Sequence, residues 1–147
     1  NMAVVTSIYS AYKNDMLTAA NSWTAATVNC ALFSASTFTA ADAAYTTSGT
    51  EVASANGYTT GGGAVGTRTV TGTTTKVCKI TGAFGGGAAG TTTWTATGAG
   101  FSAVAAKLYV SASSPIAHID FGGTQTASGG GTFVITWDAT NGVFSLT

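Results

Sequence analysis

The sequence predicts a mainly β protein: an antiparallel β-sandwich or jelly-roll-like barrel with one short N-terminal α-helix. Three observations carry this expectation. Runs of β-branched and aromatic residues recur at spacings of roughly 8–15 residues and are bounded by Gly, Asn or Asp. Only one segment, near the start, repeats its apolar residues at helical spacing. Charged residues make up 7% of the chain and 20 residues are Gly, whereas an ordinary domain is roughly 25% charged. At 147 residues the chain reads as one domain, residues 1–147, able to bury about two-thirds of the surface its unfolded form exposes.

The helix is expected near Ile8–Ala20, where Ile8, Tyr12, Met16 and Ala19 or Ala20 form a stripe and Lys13, Asn14 and Asp15 lie off it. Thr6 and Ser7 precede it as hydroxyl caps for its free amides. From residue 27 onward the chain reads as strands. Thr27–Ser34 alternates with Val28, Cys30 and Leu32 toward a core. Ser36–Gly49 is a polar, Ala-rich connection with a turn of helix at Ala40–Ala44, and Glu51-Val52 is a short edge strand. Tyr58–Gly63 ends in a glycine loop. Val65–Thr71 and Lys76–Thr81 form a hairpin around Gly72–Thr75, with Cys78 and Ile80 on one face.

Gly82–Gly90 is a loose glycine-rich connection, and Thr91–Thr97 is a threonine-rich strand around Trp94. Phe101–Ala112 is the longest run. It puts Val104, Ala106, Leu108 and Val110 on one face, Lys107 and Tyr109 on the other, and Pro115 ends it. Ile116–Phe121, Thr132–Trp137 and Val143–Leu146 complete the strands, separated by Gly122-Gly123, Gly129–Gly131 and Asp138–Gly142.

Charge excludes several classes of function. Five Lys plus Arg balance five Asp plus Glu, so no basic stripe exists to neutralise phosphates or bind an anionic membrane surface. No apolar run reaches the roughly 18 residues that span a bilayer. Met2 is followed by no basic start and apolar core of a signal peptide, and Asn1 reads as a tag remnant. A chain of zero net charge repels its own copies poorly, which suits a protein packed into an assembly.

No constellation of chemistry-bearing residues emerges. Gly85–Thr92 has the glycine spacing of a phosphate loop but lacks its lysine and runs into a strand rather than a helix. His118 shares a strand face with Ile116 and Asp120, without a GxSxG elbow to serve, and reads as a polar pair on an outward or interface face. Asp42, Glu51, Asp120 and Asp138 could act in pairs only by converging in space. One His and two separated Cys make no metal set, so neither metal nor cofactor is expected. Cys30 and Cys78 read as buried reduced thiols, the alternative being a single bridge if their strands lie within about 7 Å, Cα to Cα. Thr69, Thr71 and Thr73, and Thr91 to Thr97, would project hydroxyls along strand faces. Trp23, Trp94 and Trp137 read as core or interface mass before a sugar platform, with Trp137 assigned to the core.

Three phrases carry a resemblance. The stretch MAVVTSIYSAYKNDMLTAANSWTAATVNCALFS from Met2 is similar to the opening of small virion proteins of tailed bacteriophages, which carry a "KNDLL"-like helix and a strand ending "ALF". Here these are Lys13–Leu17 and Ala31–Phe33. EVASANGYTTGGG, Glu51–Gly63, resembles an internal element of the same group, and IDFGGTQTASGGGTFVITWDATNGVFSLT from Ile119 resembles its tail. Gly72–Gly100 departs from the group, being richer in Gly and Thr and poorer in acids. The resemblance implies a non-enzymatic virion component, assembled in the host cytoplasm. It points to a capsid decoration (cement) protein that binds the major capsid protein or another virion protein as a homo-oligomer, a trimer foremost. A tail-fibre or tail-associated module binding host-surface glycan is the alternative, and a hydrolase a remote one.

Overall fold

The computed structural model describes residues 4–110 and 112–146. Its elements in chain order are β1 (Val5–Ile8), α1 (Ser10–Thr18), β2 (Val28–Ser36), β3 (Gly49–Glu51), β4 (Gly63–Ala64), β5 (Arg68–Thr71), β6 (Lys76–Ile80), β7 (Thr91–Thr95), β8 (Phe101–Val110), β9 (Ser114–Ala127), β10 (Thr132–Thr136) and β11 (Phe144–Leu146). A large antiparallel sheet runs β1-β9-β8-β2-β3, with β4 also pairing β2. Two smaller antiparallel sheets, β10-β7 and β11-β6-β5, supply the opposing layer. The protein is therefore mainly β, as the alternating runs predict, and built as a sandwich.

The main core lies between these layers. From the large sheet it takes Val28, Cys30, Leu32, Leu108 and Ile119; from the small sheets, Cys78, Ile80, Trp94, Phe133 and Ile135. Such alternating positions bury one face of each strand, the usual origin of a sandwich core. The other face of the large sheet is buried too. Ala31, Phe33, Ala105 and Tyr109 form a second cluster with Tyr45, which lies in the 37–48 connection. Tyr45 stacks on Tyr109 at 3.8 Å, and its backbone N–H donates to the Ser113 carbonyl. This connection contains turns and no helix at Ala40–Ala44. It works as a cover, which explains why β2 and β8 are nearly continuous apolar runs.

Several expectations are corrected by the backbone. Thr6 and Ser7 do not cap the helix; they belong to β1, which pairs with β9 in the register Thr6↔Ile119 and Ser7↔His118. The helix is shorter than the predicted Ile8–Ala20, begins after Tyr9 without a side-chain cap, and ends at a left-handed Ala19. Tyr12 alone is fully buried on it. Pro115 does not end β8 but lies buried within β9 opposite Tyr109, at a register shift where its missing N–H is tolerated. Gly122-Gly123 do not separate strands either. They kink the single long β9, where the register jumps from Ala105↔Asp120 to Ala103↔Gln125.

That irregularity sets Val104 apart from its neighbours. Alternation breaks there, so Phe101 and Ala103 face the main core with Ala106, Leu108 and Val110, while Val104 packs with the second cluster. Gly63 is likewise not only loop but half of β4. The β5–β6 hairpin, the burial of Cys78 and Ile80, and the last two strands match their predicted places to within two or three residues.

Candidate functional site

His118 is the first place to look for chemistry, being the sole histidine. Its strand pairing puts it beside Lys107 of β8 on one side and Ser7 of β1 on the other. All three lie on the sheet face covered by the 37–48 connection. His118 is only 4% exposed and Lys107 is fully buried, so of the pair expected on an outward or interface face His118 is turned inward while Asp120 is exposed. The end of β2 brings Ser36 into reach, with its Oγ 2.9 Å from His118 Nε2. Phe38 lies against the imidazole at 5.9 Å between ring centroids.

The lysine is held on both sides. Its Nζ donates to the Thr47 carbonyl at 2.6 Å and sits 4.4 Å above the Phe33 ring. Burial pulls its pKa down, opposed by the buried carboxylate of Asp42. Asp42 Oδ2 and the Tyr9 hydroxyl are enclosed without hydrogen-bond partners. The Tyr9 hydroxyl is held well above its usual pKa by burial and then by Asp42. Under one loop the fold thus gathers a histidine, a lysine, a carboxylate and a phenol.

A hydroxyl within hydrogen-bond distance of an imidazole has the outline of a nucleophile and its base. The electrostatics run against that use. A general base must become imidazolium in the transition state, and burial, followed by the Lys107 charge, lowers the His118 pKa, with Asp120 only partly opposing. The arrangement is better suited to holding the cover loop on the sheet. Sequence reasoning missed Ser36 and the role of Lys107; an isolated lysine inside the longest apolar run was the available signal.

The other acidic candidates do not converge. Glu51 accepts from the Tyr58 hydroxyl at 2.7 Å, from the Tyr45 hydroxyl at 3.3 Å and from the Gly61 N–H. Asp120 accepts from the Gly122 N–H at 2.8 Å, tying the β9 kink. Asp138 accepts from the N–H groups of Thr140 and Asn141, both at 2.8 Å, and these bonds with the Asn141 side chain hold its pKa low. Asp120 and Asp138 thus fasten their own turns, while Glu51 ties Tyr45, Tyr58 and Gly61 to the end of β3. Among the described residues no group of three or more His, Cys, Asp or Glu could hold a metal ion.

Gly85 and Gly86 take positive φ in the turn before β7, so the phosphate-loop spacing leads into a strand. The threonines of β7 do not form an exposed ladder: Thr91, Thr92 and Thr93 are buried. Thr92 Oγ1 accepts from Trp137 Nε1 at 2.8 Å. All three tryptophans are buried, at 5–7% exposure, and so is each cysteine, both thiols being free.

A groove of about 890 Å³ opens between the layers, lined by Val4 and Thr6 at β1, Ile119 and Phe121 of β9, and Phe133 and Ile135 of β10. Asp138, at one end, is the only charged residue in its walls. Comparison with known protein families, with curated proteins and with solved structures finds no match for this chain.

Proposed function

We propose that this chain is a non-enzymatic structural protein of a phage particle, a capsid decoration protein that stabilises the head by binding its lattice as a homo-oligomer. The observation that carries the assembly part is the groove whose walls hold a single charge, on a molecule of zero net charge. Burying such a surface desolvates almost no ions and contributes on the order of 25 cal/mol per Å² of apolar area. The virion part rests on the resemblance of Lys13–Leu17, Glu51–Gly63 and Ile119–Thr147 to small phage proteins. The major capsid protein is the partner this reading names.

The glycan-binding alternative needs exposed aromatic faces, and burial of Trp23, Trp94 and Trp137 removes its best platform. Mixing purified protein with undecorated heads and sedimenting them tests the proposal. Saturable co-sedimentation at a fixed ratio to the capsid subunit is expected. Protein left wholly in the supernatant, across a range of salt, would sink it.

A further inference from the structure

An exposed sheet edge is a row of unpaired N–H and C=O groups, and proteins that remain alone guard such edges with charge, proline or short length. Here the edges differ in their protection. β3 carries Glu51 and β5 carries Arg68, β4 and β11 span two and three residues, and the outer side of β7 is covered by Phe84, whose backbone bonds Thr91 and Thr93. β1 and β10 carry no charge and no proline. These two unguarded edges border the same groove, β1 from the large sheet and β10 from the opposing layer.

The apolar side chains follow the same pattern. Six large hydrophobic residues are exposed among those described, and Val4, Val5 and Val134 of the six lie on or next to these two edges. Phe121, Phe133 and Ile135 of the core reach the groove with 6–9% of their surface still open. The sandwich is thus unfinished along one side. A charged partner would find nothing to pair with there except Asp138.

We propose that the occupant is a second copy of this chain, whose β1 edge pairs with the β10 edge of its neighbour, so that sheets continue between subunits and the grooves are enclosed. A copy meets the requirement because it brings an uncharged edge of matching length, four residues against five. Its zero net charge also adds no long-range repulsion. The two edges are different surfaces, so the contact either pairs reciprocally across a two-fold axis, closes into a larger ring or grows as a filament. Because both edges border one groove, a reciprocal two-fold dimer is the smallest closed form, with β1 of each copy on β10 of the other and the two grooves facing each other. This inference deepens the assembly reading of the same groove by naming the contact.

The test uses native mass spectrometry on the full chain and on Val5→Lys, Val134→Lys and Leu17→Lys. The two valines are roughly half exposed, at 56% and 47%, and Leu17 is 89% exposed on the helix, so the folds should hold; circular dichroism checks this. The wild type and Leu17→Lys should form the same closed oligomer, a two-fold dimer or a larger ring, and each valine variant alone should be a monomer. Mixing the two valine variants should give a one-to-one dimer that grows no further, because one intact edge of each kind remains. A monomeric wild type at high micromolar concentration, or an oligomer indifferent to either lysine, would overturn the contact. Head binding is read separately. An oligomer that ignores heads removes the capsid reading alone, whereas a monomer that decorates them removes this contact alone.

Discussion

At the scale of single residues the most consequential group is His118, because its burial couples stability to pH. Its folded pKa lies below the ordinary value, through burial first and Lys107 second, so the unfolded chain binds the proton more readily than the folded one. Stability from this group is complete above the unfolded pKa, near 6.5, and is lost as pH falls from there toward the folded pKa, at no more than about 1.4 kcal/mol per pH unit. Urea midpoints measured from pH 7.5 to 5 should therefore decline in the wild type and stay nearly level in His118→Asn. A wild-type midpoint that rises on acidification would contradict the burial of the ring. Lys107→Met tests the neighbouring group. It keeps the stem over Phe33 and removes the bond to the Thr47 carbonyl, which should cost about 1.5–3 kcal/mol in denaturant melts. A neutral result would mean that the ammonium reaches solvent.

At the scale of elements, glycines decide how closely loops return to strands. Gly62 has φ +69, and a Cβ there would meet the Cys30 carbonyl oxygen of β2. Gly130 has φ +87, but a Cβ on it would meet nothing within 4 Å. Both alanine variants suffer the left-handed backbone cost of about 1–2 kcal/mol. Only Gly62→Ala must also push β4 off β2, so its loss should exceed that of Gly130→Ala by at least about 1 kcal/mol; equal denaturation midpoints would refute the difference. This contrast also marks what could be read from the chain. Local alternation located β2, the β5–β6 hairpin and the faces of Cys78 and Ile80, because a period of two survives in any strand whose register is regular. It misplaced Val104, Gly122-Gly123 and Pro115, because a bulge is a property of two strands and leaves no trace in the pattern of one. β1 was missed for a related reason: Ile8 fits a helical stripe, and only pairing with β9 makes Val5–Ile8 extended. The Ser36–His118 contact spans 82 residues and joins β2 to β9 across the intervening β8, so no spacing rule reaches it.

At the scale of the whole molecule, the two thiols report on how the layers separate. Cys30 lies on β2 of the large sheet and Cys78 on β6 of a small one, and both point into the main core. Burial raises the Cys30 thiol far above its usual pKa and pushes Cys78 up to about 11, so neither supplies reactive thiolate near neutral pH. Native protein should therefore resist a disulfide reagent, and labelling should proceed only through opening of the sandwich. Because the two residues share one core, a single cooperative opening exposes both, and their labelling rates should give the same opening free energy once corrected for intrinsic thiol reactivity. The comparison is made by mass spectrometry of peptides after timed labelling in low denaturant. Cys78 labelling well before Cys30 would show that β11-β6-β5 lifts away by itself, making the small sheet a separate unit of stability. If assembly encloses the groove beside this core, labelling of both thiols should slow together as protein concentration rises, since subunits that bind only the closed form stabilise it by mass action. Concentration-independent labelling of both would detach core stability from assembly.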